Sequence, residues 1–210
     1  MRILFLSCLI FLAYGGYSQM MGVTDTGDKV VLYSDGRWVY AERDTVREEE
    51  IPTNSKAFKK SKDADFLLKS QRTETGFWLD PKTWTFTTPE SDAAAEYELD
   101  HENGSLYGLV ITENLDLSLT ALANIALQNA REAAPDIKVT DKEYRMVNGK
   151  KVLMMRMVGT IQEIRFSYFG YYYTAPGVSV QYLVYTSETF MEENLTAVEE
   201  LLNGFVDLAK

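Results

Sequence analysis

The stretch SYFGYYYTAPGVSVQYLVYTS, from Ser167 to Ser187, contains six tyrosines and one phenylalanine. It predicts two strands joined by a turn at Pro176-Gly177, a dipeptide that favours tight turns between β-rich runs. Successive side chains in a strand point to opposite faces. Neither set of alternate residues is polar here, which is typical of a sheet covered on both faces. We therefore expect most of these rings to be core residues; a stacking surface for a flat ligand is the alternative.

Other turn signals around this stretch predict further strands. The dipeptides Asp35-Gly36, Asn103-Gly104 and Asn148-Gly149 each lie between β-rich runs, which is a strong hairpin pattern. A short strand is also predicted over Trp84 to Thr87.

Two segments have apolar residues at helical spacing. The first runs from Ser118, a capping residue, to Pro135, which stops a helix. The second begins with Thr189 and Glu192 as a capping box and continues to Phe205. With one helix available for each face, the predicted fold class is α+β: a mostly antiparallel sheet covered by helices on both faces, plus a small N-terminal β-hairpin.

The first residues predict a secretory signal peptide. Arg2 precedes the apolar run from Ile3 to Tyr14, and small residues follow before a predicted cleavage site between Ser18 and Gln19. The apolar run is too short to span a membrane. We expect an exported protein, periplasmic or secreted, with no transmembrane segment in the mature chain.

The predicted organisation is a signal peptide over 1–18, an N-terminal hairpin segment over 19–42, a charged linker over 43–75 and a main domain over 76–210. The linker prediction rests on the sequence RDTVREEEIPTNSKAFKKSKDAD, which is charged and has few large apolar residues. An isolated hairpin is marginally stable in water. The hairpin should therefore dock elsewhere, and Trp38 and Tyr40, which share one of its faces, are the expected docking residues.

Composition excludes several functions. The formal net charge of −10 disfavours nucleic acid as a partner. The single cysteine, Cys8, lies in the predicted signal peptide, so the mature chain would lack disulfides and thiolate sites. His101 is the only histidine, which excludes the usual histidine-based zinc sites. We expect no cofactor and no metal.

Four segments resemble a family of uncharacterised exported bacterial proteins: IALQNAREAAPDIKV, MVNGKKV, FSYFGYYYTAPGVSVQYLVYT and LLNGF. The resemblance runs from about Phe77 to Val206. The order of elements is also similar to the α/β/α sandwich of the PsbP subunit of photosystem II, and of a small Ran-binding protein, in architecture alone. The hairpin VVLYSDGRWVY resembles an addition common in exported proteins of Bacteroidetes-type bacteria. These resemblances imply binding or assembly, and fold likeness by itself is weak evidence for function.

The leading hypothesis is a non-catalytic binding or assembly module of the cell envelope, with an unidentified envelope protein or small ligand as its partner. No glycine-rich phosphate loop, G-x-S-x-G or H-E-x-x-H motif occurs. The alternative is a carbohydrate-binding or carbohydrate-active protein that uses exposed rings and a carboxylate pair, for which Glu113 and Glu163 are loose candidates. The candidate binding residues are Trp38, Tyr40, Trp78 and Trp84.

Overall fold

A computed structural model describes residues 20–23, 29–33, 36–41, 51–89 and 94–209. The predicted signal peptide and its cleavage site, Ser18 and Gln19, lie outside the described residues. Within the described ranges, no helix has both the length and the apolar character needed to cross a membrane.

The described ranges form fourteen strands and three helices. In chain order these are β1 (Met20–Val23), β2 (Lys29–Leu32), β3 (Trp38–Tyr40), β4 (Thr53–Phe58), β5 (Phe66–Lys69), β6 (Thr75–Leu79), β7 (Trp84–Thr87), β8 (Tyr97–His101), β9 (Tyr107–Glu113), α1 (Leu119–Ala133), β10 (Lys138–Val147), β11 (Lys150–Ile161), β12 (Ile164–Ala175), β13 (Val178–Ser187), α2 (Glu188–Glu193), α3 (Leu195–Leu202) and β14 (Phe205–Asp207).

Eight strands form the main sheet, in the spatial order β4-β10-β11-β12-β13-β9-β8-β7. The turns predicted at Asn103-Gly104, Asn148-Gly149 and Pro176-Gly177 join antiparallel neighbours, so these three hairpins are confirmed. Asn148 and Gly149 both have positive φ, 48° and 82°, as a two-residue hairpin turn requires. The edge strand β4 runs parallel to β10, so the sheet is mixed.

The predicted fold class, a sheet covered by helices on both faces, is wrong. On one face the core is built by α1 together with the N-terminal sheet β1-β2-β3. On the other face it is built by the short helices α2 and α3 together with a second small sheet, β14-β6-β5. Strands therefore supply much of the cover that the sequence assigned to helices, and the protein is mostly β.

The structure also departs from the predicted linker over residues 51–75. Strand β4 pairs with the edge of the main sheet, and β5 pairs with β6. Phe58 is the only buried residue of β4. An edge strand can leave most of its side chains in water, and β4 therefore has a polar pattern that does not predict a strand. The division into domains otherwise remains a prediction.

The first predicted helix is confirmed. The Ser118 hydroxyl accepts a hydrogen bond from the Ala121 N–H at 3.1 Å, which caps one of the free N–H groups at the helix start. The helix ends at Ala133, two residues before Pro135, because proline disfavours the helical conformation in the residue before it.

The second predicted helix is wrong in its extent. The segment from 188 onward divides into α2 and α3, and Phe205 begins β14 instead of ending a helix. The cap is Ser187, which accepts from the Phe190 N–H at 3.4 Å, and not Thr189. Phe205 pairs with Phe77 of β6, so a tertiary strand pairing ends the helical pattern.

Two of the segments that carry the family resemblance meet in the fold. The side-chain amide of Asn148, in MVNGKKV, donates hydrogen bonds of 2.8 Å to the carbonyls of Asn203 and Phe205, in LLNGF. A Cβ on Gly204 would lie 1.9 Å from the carbonyl oxygen of Trp78, so only glycine fits there. These contacts join the end of the chain to the β10–β11 turn.

Each face of the main sheet has its own core, and the tyrosines of 167–187 divide between them. Tyr172 lies in the core under α1. The core on the opposite face holds Tyr171, Tyr173 and Tyr182. All four side chains are buried, which confirms that most rings of this stretch are core residues.

Candidate binding surface

Four aromatic side chains form a continuous row on the α1 face of the main sheet. Tyr168, Tyr185 and Tyr107 are direct cross-strand partners on β12, β13 and β9. The ring centres of Tyr107 and Tyr185 are 5.7 Å apart, and those of Tyr185 and Tyr168 are 6.0 Å apart, with interplanar angles near 30°. Phe166 stacks on Tyr185 at 6.4 Å. We call Phe166, Tyr168, Tyr185 and Tyr107 the aromatic row.

The aromatic row extends from the covered part of the sheet toward water. Helix α1 packs on β11 and β12, where Met155, Met157 and Tyr172 join its core. Neither Tyr185 nor Tyr107 belongs to that core. Tyr107, at the β9 end of the row, is 39% exposed, while Tyr185 is half-buried. The row therefore presents ring surface where the cover of α1 ends.

Two carboxylates lie beside the exposed end of the row. Asp100 of β8 is the cross-strand partner of Tyr107, and Glu98 is the partner of Leu109. Both acids are exposed, and within the described residues neither carboxylate has an ion pair or a side-chain hydrogen bond. Burial, followed by the charge of Glu98, raises the pKa of Tyr185 to about 12. Glu98 and Asp100 therefore lie on the same face of the sheet as Tyr107 and Tyr185.

The position of Tyr107 is fixed by its own strand and turn. Its hydroxyl donates a hydrogen bond of 3.0 Å to the carbonyl of Gly104, in the turn between β8 and β9. Gly104 has φ of 67°, a conformation that glycine adopts without strain. The tight turn and this hydrogen bond hold the ring against Tyr185.

The four predicted binding residues do not form one site. Trp38 and Tyr40 contact each other edge-on at 5.0 Å, and Trp38 is 49% exposed. Trp78 is half-buried, with the Lys60 ammonium 4.8 Å from its ring centre. Trp84 is buried, with only 4% exposed. The structure brings together Trp38 and Tyr40 and leaves Trp78 and Trp84 on other strands with other partners.

The opposite face of the N-terminal sheet docks on the main body. Val31 and Ala41 are fully buried in the core with Leu122 and Ile125 of α1. Since Val31 pairs with Val39, these residues occupy the face opposite Trp38. The expectation that the hairpin docks is met, but Trp38 and Tyr40 are not the docking residues.

The loose catalytic candidates do not form a catalytic arrangement. Glu113 is opposite Ser179, near the start of β13, whereas Glu163 is in the turn before β12. A strand rises about 3.3 Å per residue, so these carboxylates are roughly 30 Å apart, far beyond the about 5–10 Å of glycosidase pairs. His101 accepts from the Asn103 N–H at 3.2 Å and contacts Trp84 edge-on.

Two depressions of the described surface do not form a ligand pocket of the predicted kind. The larger, about 560 Å³, lies between the N-terminal sheet and α1, and among the described residues Trp38 is the one aromatic side chain that lines it. Its carboxylate, Glu132, pairs with Arg37. The second, about 370 Å³, is bordered by the Lys29–Asp116 ion pair, and no aromatic side chain lines it within the described ranges. Neither combines two exposed rings with an unpaired carboxylate.

Two buried charged side chains elsewhere, Arg145 and Glu96, have structural partners. Arg145 bonds Glu143, Glu199 and the Tyr171 hydroxyl at 2.6, 2.8 and 3.0 Å. The buried Glu96 carboxylate accepts from the Ser70 hydroxyl, the Thr112 hydroxyl and a backbone N–H. These groups are satisfied and link elements together. In the described part of the chain, no group of three His, Cys, Asp or Glu side chains is arranged to hold a metal ion.

The residues of the aromatic row are not among the predicted site residues, although the sequence pattern indicates part of the row. The period of two places Phe166 and Tyr168 on one face of a strand. Their alignment with Tyr185 and Tyr107 depends on the register of three strands. The position of α1 over β11 and β12 then decides which rings are covered, and no local pattern carries that information.

No protein-family model matches this sequence, and no curated protein matches it. Solved structures do match. The solution structure of the cyanobacterial PsbP protein CyanoP from Synechocystis sp. PCC 6803 matches with a TM-score of 0.52 and 11% identity, covering 68% of this chain and 91% of that chain.

Two crystal structures match at lower similarity. PA94 of Pseudomonas aeruginosa, a protein of unknown function, has a TM-score of 0.45 and 9% identity over 69% of this chain and 98% of its own. LpqN of Mycobacterium tuberculosis, described as involved in cell envelope biogenesis, has a TM-score of 0.44 and 9% identity over 66% of this chain and 86% of its own.

The likeness to CyanoP shows a PsbP-like fold, and at 11% identity it shows the fold alone. The predicted similarity to the PsbP fold is confirmed to that extent. The sheet covered by helices on both faces, which was predicted with it, is not observed. The exported bacterial family and the Bacteroidetes-type hairpin stay predictions.

Proposed function

We propose that this chain is an exported, non-catalytic binding module of the cell envelope that contacts its ligand through the aromatic row. The observation that carries the proposal is the stack of exposed Tyr107 on half-buried Tyr185, beside Glu98 and Asp100, two exposed carboxylates with no ion pair among the described residues. Exposed aromatic rings are costly to leave in water, and tyrosine combines apolar contact area with a polar hydroxyl at low entropic cost. Such residues are enriched where proteins bind partners.

Export is supported by the predicted signal peptide over 1–18. The predicted mature chain would start at Gln19, one residue before β1, so cleavage would leave the N-terminal sheet complete. The docked N-terminal sheet then belongs to the mature module. Mass spectrometry of the exported chain should give Gln19 as its first residue; a chain that retains residues 1–18 would contradict export by this route.

The carbohydrate alternative uses the same surface. Neutral sugars also stack on aromatic rings, and Glu98 and Asp100 could accept hydrogen bonds from sugar hydroxyls. The separation of Glu113 and Glu163 gives no support to the version in which this pair hydrolyses a glycosidic bond. A sugar-binding module therefore remains as the second candidate, and the row is again its binding surface.

The test compares the mature protein with two ring-removing variants. Immobilised wild type, Tyr107→Ala and Phe190→Ala are cross-linked to components of envelope extracts from the source organism, and captured material is quantified. Phe190 is the matched control because it is also exposed, at 47%, but lies on α2. Capture should fall several-fold for Tyr107→Ala and stay unchanged for Phe190→Ala. Equal capture by all three proteins would refute the aromatic row as the binding surface.

A further inference from the structure

The chemistry of the aromatic row favours one class of ligand, and the following inference rests on the function proposed above. Tyr107 stacks on Tyr185 with one ring face. Strand β8 lies on the side of Tyr107 away from β13, and Asp100 of β8 is the direct cross-strand partner of Tyr107. A cation held by Asp100 would lie within the roughly 6 Å that cation–π attraction requires. Ring and carboxylate would then act on the same positive group.

Some acids of the described residues have a cation as partner, and others, such as Asp141, have none. Glu188 pairs with Arg165, Glu132 with Arg37, and Asp116 with Lys29. Glu98 and Asp100 have no such cation among the described residues, although both are exposed. The whole chain also has a net charge of −10. The potential at β8 is therefore negative, and it attracts a positively charged partner.

The spacing of the two acids defines the shape of that partner. Glu98 and Asp100 are two residues apart on β8, so both side chains point to the same face, about 7 Å from each other. An extended peptide has the same period and presents residues i and i+2 to one side. Leu109, the partner of Glu98, gives a half-buried apolar contact beside the acids.

We propose that the aromatic row and β8 bind an extended segment of a partner protein that carries two basic side chains, two residues apart. One basic group would lie between Tyr107 and Asp100, and the other would pair with Glu98. The charge complementarity and the matching spacing favour this occupant over a neutral sugar, which would leave both carboxylates without a cation.

The test uses synthetic peptides with the mature protein. The probe is acetyl-Gly-Arg-Ser-Arg-Gly-amide, and the control replaces both arginines with citrulline, which has nearly the same shape and no charge. Binding is followed by calorimetry and by NMR signals of the tyrosine rings. The arginine peptide should shift the Tyr107 and Tyr185 ring signals. The citrulline peptide should bind about tenfold or more weakly than the arginine peptide. Higher salt should weaken binding of the arginine peptide.

Two double variants separate charge from general surface effects. Glu98→Gln with Asp100→Asn should weaken binding of the arginine peptide about tenfold. Glu193→Gln with Glu200→Gln removes two exposed acids elsewhere and should have less than a twofold effect. Circular dichroism of each variant confirms that it is folded. Equal binding of the citrulline peptide, or unchanged binding by the first double variant, would overturn the inference.

The remaining outcomes distinguish this inference from the proposed function. If cellohexaose binds the row and the arginine peptide does not, the surface is a sugar-binding surface: the function stands and the basic partner is wrong. The same holds if envelope capture depends on Tyr107 but not on Glu98 and Asp100. If neither peptide nor sugar binds and capture is insensitive to Tyr107→Ala, both proposals fail.

Discussion

Tyr171 and Tyr172 are neighbours in β12 whose side chains enter different cores, and their hydroxyls differ in hydrogen bonding. The Tyr171 hydroxyl accepts from Arg145 at 3.0 Å and donates to Asn203 at 2.9 Å. The Tyr172 hydroxyl is buried under α1 without a hydrogen-bond partner among the described residues. Burial raises the pKa of Tyr171 to about 12 and raises the pKa of Tyr172 further. Both side chains are therefore neutral, and of the two hydroxyls only that of Tyr171 is hydrogen-bonded among the described residues.

This difference predicts opposite results for the same substitution at adjacent positions. Tyr171→Phe should lower the free energy of unfolding by about 1–3 kcal/mol, because Arg145 and Asn203 lose a buried partner. Tyr172→Phe should leave it unchanged or raise it by up to about 1 kcal/mol, because the ring contacts remain and an unpaired hydroxyl is removed. Urea unfolding of the two variants measures the difference. Equal losses would show that the hydrogen bonds of Tyr171 contribute no stability.

Alternation along the strand was sufficient to place Tyr171 and Tyr172 on opposite faces, because the period of two is a local property. The partner of the Tyr171 hydroxyl could not be predicted in this way. Arg145 comes from β10, and its own guanidinium is oriented by Glu143 and by Glu199 of α3. The same limit applies to Tyr107, whose exposure depends on strand order and on where α1 lies.

In the N-terminal sheet, too, the local sequence pattern predicts the strands, whereas the face that is buried depends on tertiary packing. The turn at Asp35-Gly36 indicated β2 and β3, which do pair. The pattern does not decide which face packs, and the expectation that Trp38 and Tyr40 dock selects the wrong face. The structure instead buries Val31, Tyr33 and Ala41 in the core that includes α1. Strand β1 was not predicted, because its short pairing with β2 is visible only in three dimensions.

Two substitutions on opposite faces of the N-terminal sheet test its docking. Val31→Ala should lower the free energy of unfolding by about 1–3 kcal/mol, since Val31 is fully buried beside Leu122 and Ile125. Trp38→Ala should have less than half of that effect, because Trp38 is 49% exposed and is not part of the core under α1. Thermal unfolding at neutral pH gives both values. A larger loss for Trp38→Ala would mean that the exposed face stabilises the sheet.

Among the many acids of this chain, Asp207 and Glu113 are shifted in opposite directions by the fold. Burial by itself raises the pKa of Asp207, but the hydrogen bonds from Lys150 and Tyr173, both 2.7 Å, more than offset it, and the pKa is lowered from 3.8. Burial raises the pKa of Glu113 above 4.5, and the positive charge of Arg72 only partly opposes it. Asp207 therefore favours the folded state when ionised, and Glu113 opposes it.

These shifts predict two pH profiles of opposite sign. Asp207→Asn should destabilise the protein at pH 7 by about 1–2 kcal/mol. This loss should begin to shrink below about pH 4, where the unfolded carboxyl takes up its proton, and should disappear as pH falls through the lowered pKa of the folded carboxyl. Glu113→Gln should stabilise the protein at pH 7. That gain should vanish below about pH 4, where Glu113 is protonated in both states, and should grow as pH rises through the raised folded pKa.

Thermal unfolding of both variants and the wild type between pH 3 and pH 7 checks these profiles. Asp141→Asn is measured alongside as the matched control, since Asp141 is exposed and has no ion pair among the described residues. A Glu113→Gln variant less stable than wild type at pH 7 would mean that Arg72 outweighs the cost of burying the charge. The end of the sheet at Glu113 would then hold an ion pair that stabilises the fold.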